Sequence, residues 1–150
     1  MEITCSTIIM KSKQVLSIEQ MQHLQELGLN LKPSLVHYYK VVSEDNGKWY
    51  LSVTIGDILD GSPRYRFIPA YTLQDVLDAL PIEIKYKDKR CWLCIELADE
   101  MIGYYYEDYH LEHKWVYHEV VMIDESLIDA VYKLLCWAIE QGYVETNKNE

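Results

Sequence analysis

Ser126-Leu127-Ile128-Asp129-Ala130-Val131-Tyr132-Lys133-Leu134-Leu135-Cys136-Trp137-Ala138-Ile139-Glu140-Gln141-Gly142 is the stretch that decides the fold. Ser126 is a good N-cap, Asp129 stands at the capping-box position, and Gly142 suits the left-handed residue just past a helix end. Between these signals, Leu127, Ile128, Val131, Leu134, Leu135, Ala138 and Ile139 recur at helical spacing. Ala130 and Trp137 widen that stripe until only Asp129, Lys133 and Glu140 remain as a polar strip. A helix that is apolar around most of its girth has to be enclosed. The spacing therefore predicts a covered helix over 126–141 with Trp137 buried, packed by the rest of the chain or by a second copy in a homo-oligomer.

Two more helices follow from capping chemistry. Ser17-Ile18-Glu19-Gln20 is a capping box, with Leu16 placed to staple onto Met21. Ile18, Met21, Leu24 and Leu27 form its stripe, and Gly28 with Leu29 supplies the stop. Thr72 and Asp75 repeat the box, Tyr71 staples onto Val76, and Pro81 cannot continue the helix.

Strands occupy the gaps. Residues 35–42 and 49–55 flank Glu44-Asp45-Asn46-Gly47, a strong hairpin signal. Trp49, Leu51, Val53 and Ile55 are expected on the buried face of the second strand, with Tyr50, Ser52 and Thr54 on the half-wet one. Beyond Pro81, residues 82–86, 91–97, 102–106 and 115–122 read as an antiparallel meander. The expected fold class is α+β: an antiparallel sheet, hairpin plus meander, packed with three helices.

At 150 residues, 49% apolar and 25% charged, the chain has the size and balance of one globular domain over 1–150. Its polar end, 145–150, is expected to fray. No apolar run is long enough to cross a bilayer, and Met1-Glu2-Ile3-Thr4 lacks the basic start of a signal peptide. The expectations are a cytoplasmic protein without a membrane partner, with Cys5, Cys91, Cys94 and Cys136 as unpaired thiols. The net charge of −10 disfavours direct nucleic-acid binding. Residues 1–95 balance at 11 acidic and 11 basic side chains, whereas 96–150 carry 13 acidic ones against Lys114, Lys133 and Lys148.

Three blocks together carry a resemblance. Residues 17–29, from Ser17-Ile18-Glu19-Gln20 to Leu27-Gly28-Leu29, resemble the opening helix of a family of small uncharacterised proteins carried by phages, prophages and mobile elements of gut bacteria, a domain of unknown function. Ile68-Pro69-Ala70-Tyr71-Thr72-Leu73, running on to Leu77 and Leu80-Pro81, is similar to the family's central Pro-Ala-Trp-Ser-Leu helix, with Tyr71 and Thr72 for the usual Trp and Ser. Asp129-Ala130, Leu134-Leu135-Cys136-Trp137 and Gly142 resemble its closing helix. The resemblance implies an α+β domain encoded by a mobile element and assigns no activity to any residue.

Chemistry-bearing patterns are sparse. Cys91-Trp92-Leu93-Cys94 followed by His110-Leu111-Glu112-His113 has the spacing of a loose zinc site. Against it, the cysteines lie in a strand-like run where residues three apart point to opposite faces. A cysteine nucleophile using His110, His113 or His118 as base is a second form of this alternative, a metal-binding or cysteine-dependent enzyme, although none of the cysteines begins a helix. Asp57 and Asp60 read as turn residues. Phosphate-loop, dinucleotide, nucleophile-elbow and metalloprotease motifs are missing, and no cofactor is implied.

One feature remains, the acidic, tyrosine-rich stretch 101–121. Tyr104, Tyr105, Tyr106, Tyr109 and Tyr117 are interleaved with Glu107, Asp108, Glu112 and Glu119. Tyrosine offers contact area at low entropic cost, and carboxylates attract a basic partner. The favoured expectation is a noncatalytic protein binding a basic protein partner through Tyr104, Tyr105, Tyr106, Glu107, Asp108, Tyr109 and Glu112. In the limiting case such a surface occupies the basic groove of a nucleic-acid-binding protein. The competing reading is a solvated hairpin whose tyrosines alternate in and out of a sheet.

Overall fold

The computed structural model describes residues 13–43, 47–53, 63–96, 101–110 and 113–149, with only the backbone at positions 109, 110 and 149. Among these residues the elements run α1 (Ile18–Glu26), β1 (Val36–Val41), β2 (Tyr50–Val53), β3 (Tyr65–Pro69), α2 (Leu73–Ala79), β4 (Glu83–Tyr86), β5 (Lys89–Glu96), β6 (Met101–His110), β7 (His113–Ile123) and α3 (Leu127–Glu140). The class is α+β. The strands form two antiparallel sheets, ordered β2-β1-β3 and β4-β5-β6-β7.

Helix boundaries fall where the caps put them. Ser17 accepts from the Gln20 N–H, and the Gln20 side chain accepts from the Ser17 N–H; Thr72 and Asp75 do the same for α2. Gly28 and Gly142 take φ of +93° and +79°. Behind them, the N–H groups of Leu29 and Tyr143 reach back to the carbonyls of Leu24 and Ala138, closing two Schellman motifs. Leu80, ahead of Pro81, is extended at φ −85° and ψ 137° and ends α2.

A single buried cluster joins both sheets to the helices: Leu16, Met21 and Leu24 from the first helix and its approach, Ile68 from β3, Val76 from α2, Ile84, Cys91, Ile102 and Tyr104 from the meander, and Val131, Leu134 and Leu135 from α3. Leu16 enters this core because its N–H donates to the Tyr71 carbonyl, while its own carbonyl accepts from the Tyr38 hydroxyl. The four-stranded sheet presents Ile84, Cys91, Ile102, Tyr104 and Val120 to this core. Trp137 of α3 lies against Tyr86, Tyr104 and Tyr143, with ring centroids 5.6, 6.1 and 5.6 Å away.

Three expectations change. Leu51 and Val53 are 52% and 60% exposed, the reverse of the anticipated burial, whereas Tyr50 and Ser52 are half-covered. The reason is position: β2 is an edge strand, and Tyr50 stacks on Tyr39 of β1 at 5.4 Å. Second, β3 was not foreseen. It pairs with β1 from His37 opposite Pro69 to Val41 opposite Tyr65, and its proline is tolerated at the end of an edge strand. Third, Trp137 is only half-buried, although Tyr86, Tyr104 and Tyr143 pack against its indole.

The carboxy-terminal segment makes two contacts with the end of α1. The Asn147 N–H donates to the Gly28 carbonyl, and Lys148 Nζ to the Glu26 carbonyl, 2.9 and 2.5 Å away. The last carbonyls of a helix lack intrahelical donors, and a cation there also complements the helix dipole. The polar tail that has nothing apolar to bury therefore serves as a cap for α1. The Glu44-Asp45-Asn46 part of the expected hairpin turn, and Asp57 and Asp60, lie outside the described residues.

Candidate functional site

The β6–β7 hairpin carries the acidic, tyrosine-rich stretch. Its register runs from Met101 opposite Ile123 to His110 opposite His113, with a shift between Tyr104 and Tyr105. Tyr104 faces Val120 and Tyr105 faces His118, so Glu119 is the extra residue of a bulge. Gly103 sits beside it, and a Cβ there would stand 1.8 Å from the Val120 carbonyl oxygen. Only glycine lets the two backbones approach this closely.

The expected binding residues separate along the hairpin. Tyr104 is fully buried among core residues, and its hydroxyl donates to the Pro81 carbonyl at 2.7 Å. Burial drives its pKa upward. Strand alternation turns Tyr104 inward beside Ile102, and it cannot belong to a contact surface. Tyr105, Tyr106, Glu107 and Asp108 are half-exposed. Tyr106 stacks on Tyr117 at 5.1 Å, and Lys89 lies over the Tyr106 ring while bonding its hydroxyl. Tyr105 packs toward Trp92 on one side and His118 on the other. The Tyr109 side chain and Glu112 lie outside the described part.

Sequence reasoning missed β7 as the apolar half of the surface: Trp115, Val116 and Tyr117 are 55%, 48% and 42% exposed. Their run of three large residues was the available signal. The charge reading also needs revision. Glu107 pairs with Lys114 at 2.5 Å, Asp124 with Lys133 at 2.6 Å, Asp129 with Lys13 at 2.6 Å, and Glu119 with Lys87 at 3.4 Å. Two of these lysines come from the charge-balanced part of the chain, so the acidic surplus of the last third is partly offset by the fold.

The zinc set does not assemble. Cys91 is buried opposite Ile84, and Cys94 points the other way, opposite Gly103. His113 pairs with His110, seven residues further along β6 from Gly103, which is about 23 Å at strand spacing. Ligand distances near 2 Å are out of reach. Among the described residues, no group of three or more His, Cys, Asp or Glu side chains is placed to hold a metal ion.

A thiol and an imidazole do meet elsewhere. Cys136 Sγ of α3 lies 3.9 Å from His23 Nδ1 of α1, and the Tyr132 hydroxyl lies 2.5 Å from the same nitrogen. Burial pushes the Cys136 thiol above its ordinary pKa, as it does Cys91 and Cys94, which disfavours the thiolate a nucleophile requires. Two turns earlier on the same helix, Asp129 accepts from Gln20 Nε2 at 2.8 Å and from the Ser126 hydroxyl at 2.6 Å. These contacts tie α1 to α3.

A cleft of about 1040 Å³ opens between α2, the segment after α1 and the carboxy-terminal segment, lined by Leu29, Lys32, Tyr71, Asp75, Tyr143 and Glu145 among others. Several of its polar groups already have structural duties. Asp75 Oδ2 accepts from the Thr72 N–H and from the hydroxyls of Thr72 and Ser34, and the Tyr71 hydroxyl accepts from the Lys32 N–H.

No family model, curated protein or solved structure matches the chain. Among the described residues no helix is long and apolar enough to cross a membrane. The functional reading therefore rests on the hairpin geometry.

Proposed function

We propose that the protein is noncatalytic and acts by protein–protein contact, as an accessory protein of the phage or mobile-element kind that its helix blocks resemble. The distal half of the β6–β7 hairpin is its contact surface and a positively charged protein its partner. The observation that carries this reading is the exposure of Trp115 and Tyr117 on one face of the hairpin, in register with Asp108 and Tyr106, and of Val116 beside Glu107 on the other. Aromatic residues of this kind anchor interfaces, and carboxylates around them steer a basic partner and fix its register.

Affinity capture at low and high salt tests the reading, using wild type and the triple variant Glu107→Gln, Asp108→Asn, Glu112→Gln. The expected result is a basic protein retained at low salt, released by raised ionic strength and lost with the variant, whose melting curve stays close to wild type. Capture that survives both salt and substitution overturns the proposal.

A further inference from the structure

The outer edge of β7 closes the order β4-β5-β6-β7, and among the described residues no strand pairs with it. It is 11 residues long. Long edge strands with exposed apolar side chains invite another strand, and native proteins usually blunt them with charge, proline or bulges. In β7 the bulge falls at Glu119, so the ladder from His113 to His118 is regular. Within residues 114–118 the one formally charged side chain is Lys114, and Glu107 of the same chain lies 2.5 Å from its ammonium. The edge strand itself is thus close to neutral here, with Asp108 of β6 opposite Trp115 as the nearby carboxylate, on a molecule of net charge −10.

We propose that the β7 edge is the contact of a two-fold dimer, in which a second copy of this chain adds its own β7 antiparallel and fuses the two meanders into one eight-stranded sheet. The sequence of the strip selects a second copy as occupant. An antiparallel two-fold pair keeps each sheet face continuous, so its axis passes through a residue. With the axis at Val116, Val116 meets Val116 of the second copy, and Trp115 meets Tyr117 of the second copy twice. These are the aromatic and β-branched cross-strand pairs that stabilise sheets. Neutrality makes the strip the place where two acidic copies approach with least repulsion. The proposal does not depend on a basic partner, and salt separates the two: screening weakens capture of a basic protein but tightens self-pairing of like-charged copies.

Sedimentation of the wild type over a broad concentration range, at low and high salt, is the test. A monomer–dimer equilibrium that shifts toward dimer with salt is expected. Val116→Lys places two ammonium groups directly opposite one another and should weaken the dimer roughly tenfold or more, while melting like the wild type at concentrations where both are monomeric. Val116→Cys, in a background with Cys5 and Cys94 as serine, should cross-link to itself under oxidised glutathione, because opposed Cα atoms in an antiparallel pair lie within disulfide reach. Val121→Cys should not. A wild type that stays monomeric, or a dimer that Val116→Lys leaves intact and Val116→Cys does not cross-link, overturns the proposal. A monomer that captures another protein through this edge overturns it equally.

Discussion

Gly103→Ala is the substitution on which the sheet geometry makes its strongest demand. The new methyl would stand 1.8 Å from the Val120 carbonyl oxygen, 2.9 Å from its carbon and 3.1 Å from Val121 Cα. Contacts to a Cβ essentially never fall below 3.0 Å, so β6 and β7 must separate locally by about 1.2 Å. No rotamer change relieves the clash, because the obstacle is backbone. Ile102 and Tyr104 on either side are fully buried, which keeps β6 from sliding. Overpacking a core typically costs 1–3 kcal/mol, and a rigid obstacle puts this case at about 3 kcal/mol or more. For a chain of this length that lowers Tm by roughly 6–12 °C. Gly142→Ala is the control: nothing lies within 4 Å of its Cβ, and only the positive φ of 79° is strained, at about 1 kcal/mol. Urea and thermal denaturation of both variants decide the matter. A Gly103→Ala protein within about 0.5 kcal/mol of wild type, or no worse than Gly142→Ala, would refute the bulge geometry.

Three further outcomes follow from the packing. Trp137→Ala should cost about 2–3 kcal/mol by chemical denaturation, below the full-burial value, without changing oligomeric size, since the chain's own Tyr86, Tyr104 and Tyr143 cover the ring. Burial alone would raise the Asp129 carboxyl, but hydrogen bonds from Lys13, Ser126 and Gln20, with the lysine's charge, hold it below its ordinary pKa of 3.8. A depressed carboxylate adds stability above its unfolded pKa and loses it as pH falls through the folded value, so wild type should weaken below about pH 4. Asp129→Asn should flatten that limb in a pH series of melting curves. Removing residues 147–150 leaves the Gly28 carbonyl without the Asn147 donor and should lower stability by roughly 1–2 kcal/mol, whereas a frayed tail would leave it unchanged.

Legibility in the sequence followed the range of the interaction that fixes each feature. Ser17 with Gln20, Thr72 with Asp75, and Gly28 and Gly142 act within one helical turn, and all three helices ended where those residues predicted. Features set by neighbours far along the chain were not readable. The alternation in β2 looked like a buried face because it is periodic, yet periodicity does not say which face the helices cover, and at an edge strand neither is fully covered. Tyr65-Arg66-Phe67-Ile68-Pro69 drew no strand assignment, its last two residues being read with the helix that follows, and its partner β1 is what makes it a strand. Tyr104 belonged with its neighbouring tyrosines by composition, and alternation alone separates it from Tyr105. The docked tail and the His23–Cys136 approach arise from residues more than 100 positions apart and leave no local mark.

The most direct test of the hairpin as a contact surface is site-specific photo-crosslinking with benzoylphenylalanine at Tyr105, on the hairpin, and at Gln22, an exposed position of α1. The account predicts a cross-link from position 105 to a basic protein, falling with salt and absent from position 22. Equal yields from both positions, or a product from 105 that ionic strength does not change, would contradict it.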